Sequence, residues 1–367
     1  MTHSQRRDNL STRIAAAGLD AMLVTDLVNV RYLSGFTGSN AALLVFADDR
    51  PAVLATDGRY RTQAAQQAPD LEVAIERACG RHLVGRAAAD SVRRLGFESH
   101  VVTVDGFDAL SAEAGSTELV RASGTVEALR EVKDAGEVAL LRLACEAADA
   151  ALTDLVARGG LRPGRTERAV SRELESLMLD HDADGVSFET IVAAGANSAI
   201  PHHRPTDAVL AAGDFVKIDF GALVGGYHSD MTRTFVLGQA ADWQLEIYQL
   251  VAAAQRAGRE ALRPGAELRD VDGAARQVIV DAGYGEQFGH GLGHGVGLQI
   301  HEAPGINATA TGTLLAGSVV TVEPGVYLPD RGGVRIEDTL VVATKASATS
   351  GHAPELLTRF PKELAIL

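Results

Sequence analysis

The chain has 367 residues, enough for two domains, and 46% are hydrophobic, so a sizeable core can be buried. Its formal charge is −14 with no dense run of Lys or Arg, which argues against nucleic acid as a partner. No stretch is long and apolar enough to span a bilayer, and the basic residues near the start are followed by no long apolar run, so a soluble cytoplasmic protein without a membrane partner is expected.

Residues 4 to 18 read as a helix, then AMLVTD, AALLVFADD and PAVLATDG as strands. LGFESHVVTVDG reads as a further strand and turn, and this alternation of short strands and helices predicts an α/β unit up to about residue 122. The polar, Gly-containing RASGTVEAL stretch marks the boundary, giving domains of residues 1–125 and 126–367. A long helix is predicted from about Asp134 to Arg158, stopped by Gly159-Gly160. Cys145 falls on its apolar series Val138, Leu141, Cys145, Ala148, Leu152, Leu155, which makes it a core residue. Cys79 and Cys145 form no CxxC and hence no zinc or redox motif. Thr166 caps the next predicted helix, and SFETIVAAGANSAIPHHRPT reads as a strand running into a loop. Two more helices are predicted, from about Asp242 to Leu262 and from about Glu267 to Ala282. FGHGLGHGVGLQIHEAPG follows, with five glycines between Phe288 and Leu298 and with His290, His294 and His301.

Two stretches of the second domain share one design. GDFVKIDFGALVGGYHSDMTRTFVL, from Gly213 to Leu237, reads as two strands joined by a Gly-rich turn. Alternation points Val216, Ile218 and Phe220 one way and Lys217 and Asp219 the other; His228, Asp230, Thr232 and Thr234 share a face of the second strand. From Gly317 to Ala343 the pattern recurs, with Glu323 in the place of Asp219, Glu337 in that of Asp230 and Thr339 in that of Thr232. Acids inside apolar strands are rarely buried unless paired or bound to metal. Four converging carboxylates repel one another and invite cations. Their charge matches two divalent ions, which bridging carboxylates hold roughly 3.5–4 Å apart. His294 is the best candidate for an added imidazole, because its Gly-rich surroundings let backbone approach closely. An oxygen-dominated set with one nitrogen puts Mn²⁺ first, with Co²⁺, Fe²⁺ and Zn²⁺ behind it, and differs from a structural tetrahedral zinc site.

The series Asp219, Asp230, His294, Glu323, Glu337 resembles the five-ligand signature of the pita-bread metallopeptidases, family M24B. HGLGHGVGLQIHE, TVEPGVY, GGVRIEDTLVV, SFETIVAAGANSAIPHH and NVRYLSGFTGSN resemble its Xaa-Pro branch, that of prolidase and Xaa-Pro aminopeptidase. The resemblance spans nearly the whole chain. It implies an RNase H-like creatinase/prolidase N-terminal domain, then a pita-bread catalytic domain with an internal pseudo-twofold repeat. It further implies two divalent metal ions, an activated water that attacks an X-Pro bond in dipeptides or short peptides, and a homodimer. By the same resemblance Glu323 is both ligand and proton shuttle, and His202, His290 and His301 surround the substrate. Arg335, two residues before Glu337 on one strand face, supports an acidic ligand or meets a substrate carboxylate. Two rival readings are a methionine aminopeptidase-like exopeptidase and a catalytically silent pita-bread binding module. Residues 1–125 oppose the first and the complete ligand set the second. Dipeptidase and aminopeptidase action are not separated by the sequence.

Overall fold

A computed structural model describes residues 1–343 and 353–367, and it divides into two compact units, Met1–Arg130 and Glu131–Leu367. The first is built on a six-stranded sheet: β1 (Ala21–Val24), β2 (Ala41–Phe46), β3 (Val53–Thr56), β4 (Glu72–Ile75), β5 (Arg94–Phe97) and β6 (Glu118–Arg121). The order is β4-β3-β2-β1-β5-β6, antiparallel at β1–β2 and β2–β3 and parallel elsewhere. β1, β2 and β3 are buried along their whole length, which is why they read as apolar runs and not as alternating ones. Helix Cys79–Ala89 lays Leu83, Val84 and Ala87 into one cluster with Leu23, Leu44 and Phe46. Beyond β5 the chain departs from the expected strand and turn. Thr103 accepts a hydrogen bond from the Gly106 N–H and so caps a helix, Val104–Ser111.

The second unit opens with the expected long helix, Ala135–Ala157, in which Asp134 and Glu137 form a capping box. Its Leu141, Cys145, Ala148, Leu152 and Leu155 are buried, and Gly159 leaves the helix at φ +66°. Thr166 caps helix Glu167–Asp180. The strands that follow are β7 (Gly185–Val186), β8 (Ile191–Ala194), β9 (Phe215–Phe220), β10 (Ala222–Val224), β11 (Tyr227–His228) and β12 (Met231–Val236). The first acidic stretch is therefore a nested hairpin. β9 pairs antiparallel with β12 on one side and β8 on the other, while β10 and β11 form an inner hairpin in a separate sheet with β7.

Helices Asp242–Ala261 and Leu268–Asp281 come next, then β13 (Gly293–Gly295), β14 (Glu302–Ile306), β15 (Val319–Val322), β16 (Gly325–Leu328), β17 (Gly332–Arg335), β18 (Asp338–Val341) and β19 (Glu355–Leu356). The nesting repeats: β15 pairs with β18, and the inner hairpin β16–β17 lies between them in sequence. Each outer pair has apolar faces against helices. Val216, Ile218 and Phe220 cluster with Leu152, Leu155, Val170 and Leu174; Val320, Val322 and Leu340 cluster with Val251, Val271 and Ile279. Burying each such side chain contributes roughly 1.5–3 kcal/mol, which holds the opposite, acid-bearing face in register. The repeat is inexact by two residues. Asp219 lies opposite Thr232, whereas Thr339 lies opposite Thr321, two residues before Glu323. A two-residue offset keeps every side chain on its face.

The C-terminal residues close the back of these hairpins. Arg233, buried on β12, donates through Nη2 to Asp338 Oδ1 at 2.9 Å and to the Phe360 carbonyl at 2.7 Å. Lys362 reaches the other Asp338 oxygen, and Thr358 donates to Oδ1 at 3.0 Å.

Candidate metal centre

Asp219 projects from β9, Asp230 immediately precedes β12, Glu323 follows β15, Glu337 precedes β18, and His294 is the central residue of β13. His294 needs its glycines: a Cβ on Gly293 would lie 2.0 Å from the Thr321 carbonyl oxygen, and one on Gly295 would lie 2.1 Å from that of Ala303. Ligand atoms of Asp230, His294 and Glu337 all lie within 4.8 Å of one another. His294 Nε2 is 3.5 Å from Asp230 Oδ2 and 3.4 Å from Glu323 Oε1. Asp219 joins the group through Arg335, whose Nη2 donates to Oδ2 at 2.5 Å.

The cluster is short of positive charge. His294 Nδ1 lies 3.0 Å from the Gly295 carbonyl oxygen, which fixes the proton on Nδ1 and leaves Nε2 with a lone pair. That lone pair faces two carboxylates. Asp219 Oδ1 and Glu337 Oε1 are buried with no hydrogen-bond partner. Burial, then the charges of Glu337, Asp219 and Glu323, hold the Asp230 carboxyl far above its usual range. Burial, Glu323 and Asp219 do the same to Glu337, and burial pushes Glu323 up to about 8 against the pull of Arg335. Burial lowers His294 to about 4, so it is a neutral imidazole suited to ligation. Acceptors facing acceptors, two orphaned oxygens and acids displaced towards their protonated forms fit divalent cations.

A cavity of about 300 Å³ opens over the cluster. Asp219, Asp230, His294, Glu323 and Glu337 form its floor, His202 and His301 stand in its wall, and Phe188, Ile191 and Ile300 make it partly apolar. At its lining the exposed pair Arg204 and Glu189 meets at 3.0 Å. The His301 ring is edge-on to His294 at 4.4 Å between centroids. His290 and Arg335 stand behind the floor. The His290 Nδ1–H donates to the Gly291 carbonyl at 2.8 Å, and Nε2 takes the Tyr327 hydroxyl at 2.9 Å. Arg335 Nη1 donates to that same hydroxyl at 2.8 Å, so a directed chain runs from Arg335 through Tyr327 to His290. Burial lowers His290 to about 4, consistent with an accepting Nε2. Tyr227 and His228 turn away from the cavity: the Tyr227 hydroxyl donates to Glu137, and His228 bonds Ser187. Tyr327 is a residue that sequence reading missed. Its one signal is its place two residues after Gly325 in the repeated pattern.

Comparison with known proteins decides the family. Residues 139–344 match Metallopeptidase family M24, and residues 6–132 match the Creatinase/Prolidase N-terminal domain. The chain belongs to metallopeptidase family M24. An Xaa-Pro dipeptidase of Pyrococcus horikoshii is 34% identical over 90% of this chain and 92% of its own. A solved Xaa-Pro dipeptidase from Bacillus anthracis superposes with a TM-score of 0.93 at 38% identity, covering all of both chains. An X-Pro aminopeptidase from Thermotoga maritima gives 0.86 at 33%, covering 95% of this chain and 98% of that one. The chain is thus a metallopeptidase in which a creatinase-type N-terminal unit is followed in sequence by the M24 pita-bread fold, and the family implies divalent metal ions.

Proposed function

We propose that this M24 peptidase hydrolyses the X-Pro bond of dipeptides or short peptides, with two divalent ions held by Asp219, Asp230, His294, Glu323 and Glu337. The observation that carries this reading is the His294 lone pair facing Asp230 and Glu323 beside two orphaned carboxylate oxygens. Mn²⁺ is the proposed ion, since four oxygen donors with one nitrogen suit it. When bound, such ions neutralise the acids, polarise a carbonyl and lower the pKa of water.

The chain's own residues do the rest. Glu323 takes the proton of the attacking water and delivers it to the leaving proline nitrogen. His202 and His301, in the cavity wall, donate to the carbonyl oxygen as it gains charge. Arg335 fixes Asp219 and, through Tyr327, sets the tautomer of His290, which supports the wall from behind. The apolar Phe188, Ile191 and Ile300 favour a proline ring over a charged side chain. A homodimer in the cytoplasm is the proposed working form, on family resemblance; among the described residues no helix is long and apolar enough to cross a membrane. The test is hydrolysis of Ala-Pro beside Ala-Pro-Ala with Mn²⁺ supplied. Cleavage of Ala-Pro alone assigns a dipeptidase, cleavage of both an aminopeptidase, and cleavage of neither overturns the reading.

A further inference from the structure

Lys217 lies on β9 two residues before Asp219, on the same face, with 0% of its surface exposed. Its Nζ donates to the Ile200 carbonyl at 2.6 Å and to the Pro201 carbonyl at 3.3 Å, and lies 5.0 Å from the Tyr327 ring centroid. It makes no ion pair with a described residue. A polar nitrogen so buried, with carbonyl acceptors only, is costly compared with an apolar side chain. What it holds is therefore informative. Arg335 Nη1 donates to the same Pro201 carbonyl at 3.2 Å. The next residue is His202, exposed to the cavity, whose own ring has no hydrogen bond among the described residues. One residue later the buried His203 is bound to Glu167 at 2.8 Å. The His202 ring is thus placed only through its backbone, clamped by Lys217 and Arg335 before it and by His203 after it.

We propose that Lys217 is a positioning residue that fixes His202 over the metal cluster through the Ile200 and Pro201 carbonyls. This rests on the proposed role of His202 at the substrate. A misplacement of about 1 Å in a positioned group costs up to about 10²-fold in rate. Lys217→Met, which ends at the position of the lysine Cε and so keeps the apolar stem without the donor, should lower kcat on Ala-Pro about 10- to 100-fold while KM changes little, with metal content unchanged. The decisive measurement is a double-mutant cycle with His202→Ala. If Lys217 acts through His202, Lys217→Met should cost less than about 2-fold in the His202→Ala background. Losses that multiply, or an unaffected kcat in Lys217→Met alone, would overturn the proposal.

Amide hydrogen exchange reads the clamp without activity. The Ile200 N–H, which donates to the Asn197 carbonyl at 2.9 Å, should exchange faster in Lys217→Met, with β9 and β12 unchanged; no change would also overturn it. Lys217→Gln, whose amide stops one atom short, serves if the Met variant does not fold, and failure of both to fold would make Lys217 merely structural. If the wild type cleaves no X-Pro peptide, the earlier reading fails and exchange alone decides the clamp.

Discussion

Thr232 of the first nested hairpin donates to Glu337 of the second, Oγ1 to Oε2 at 2.6 Å. The debt is returned: Thr339 of the second donates to the Asp230 carbonyl of the first at 2.8 Å. The matched threonines of the repeat each brace the other half.

Removing one acid should be felt in the whole cluster. Asp230→Ala is expected to lose at least one ion per chain and most activity, and Asp219→Ala and Glu337→Ala likewise. Elemental analysis after dialysis checks this; a fully loaded, active Asp230→Ala would remove that residue from the ligand set. Because ions bind the folded chain, Mn²⁺ should also raise the melting temperature of stripped wild type, and raise that of Asp230→Ala less.

Glu323→Gln separates ligation from proton transfer. Its amide oxygen can still coordinate but cannot carry a proton. At saturating Mn²⁺ the variant should lose turnover by about 10²–10⁴-fold while an uncleaved proline dipeptide analogue still binds. Near-normal kcat on adding metal would leave Glu323 a ligand only.

Arg335 is buried and its fork holds Asp219, Tyr327, Thr232 and the Pro201 carbonyl at once. Lysine carries the charge but not the fork. Arg335→Lys should therefore bind metal more weakly and melt lower. Breaking a buried charge pair typically costs about 3–5 kcal/mol, and retaining the charge should recover part of that. Urea unfolding of Arg335→Lys and Arg335→Met side by side measures the difference.

The pH response of stability has a local source in Glu167. Burial pushes its carboxyl up, but hydrogen bonds from His203, the Ala194 N–H, Asn197 and Thr206 outweigh that and hold it below the ordinary range. A depressed acid stabilises the fold above its unfolded pKa, about 4.3, and loses that contribution as pH falls through its lower folded value. Glu167→Gln should be less stable at neutral pH yet lose less on acidification below about pH 4. Parallel urea midpoints from pH 7 to pH 3 test this; equal slopes would reject it.

The acids were legible because their neighbours are apolar: Val216, Ile218 and Phe220 could only face a core, which left Asp219 nowhere else to point. The glycines around His294 were legible for a similar reason, since so many in one stretch imply close backbone approach. Nesting was not. Nothing in GALVGGYH distinguishes a turn from the short inner strands β10 and β11, because strands of two or three residues carry no period. Nor was the helix after Thr103 legible, since VVTVDG has strand composition and only its cap decides. Tyr327 and Lys217 escaped because their roles depend on partners far away in sequence, His290 and Ile200, that only the folded chain brings near.

Arg233 and Asp338 make the two nested hairpins depend on residues that follow them in sequence. Both are gripped by residues from Thr358 to Lys362, and Asp338 adjoins Glu337. Cutting the chain between Val341, where β18 ends, and Thr358 would strip this pair of the Phe360 carbonyl, Thr358 and Lys362 while leaving both nested hairpins covalently whole.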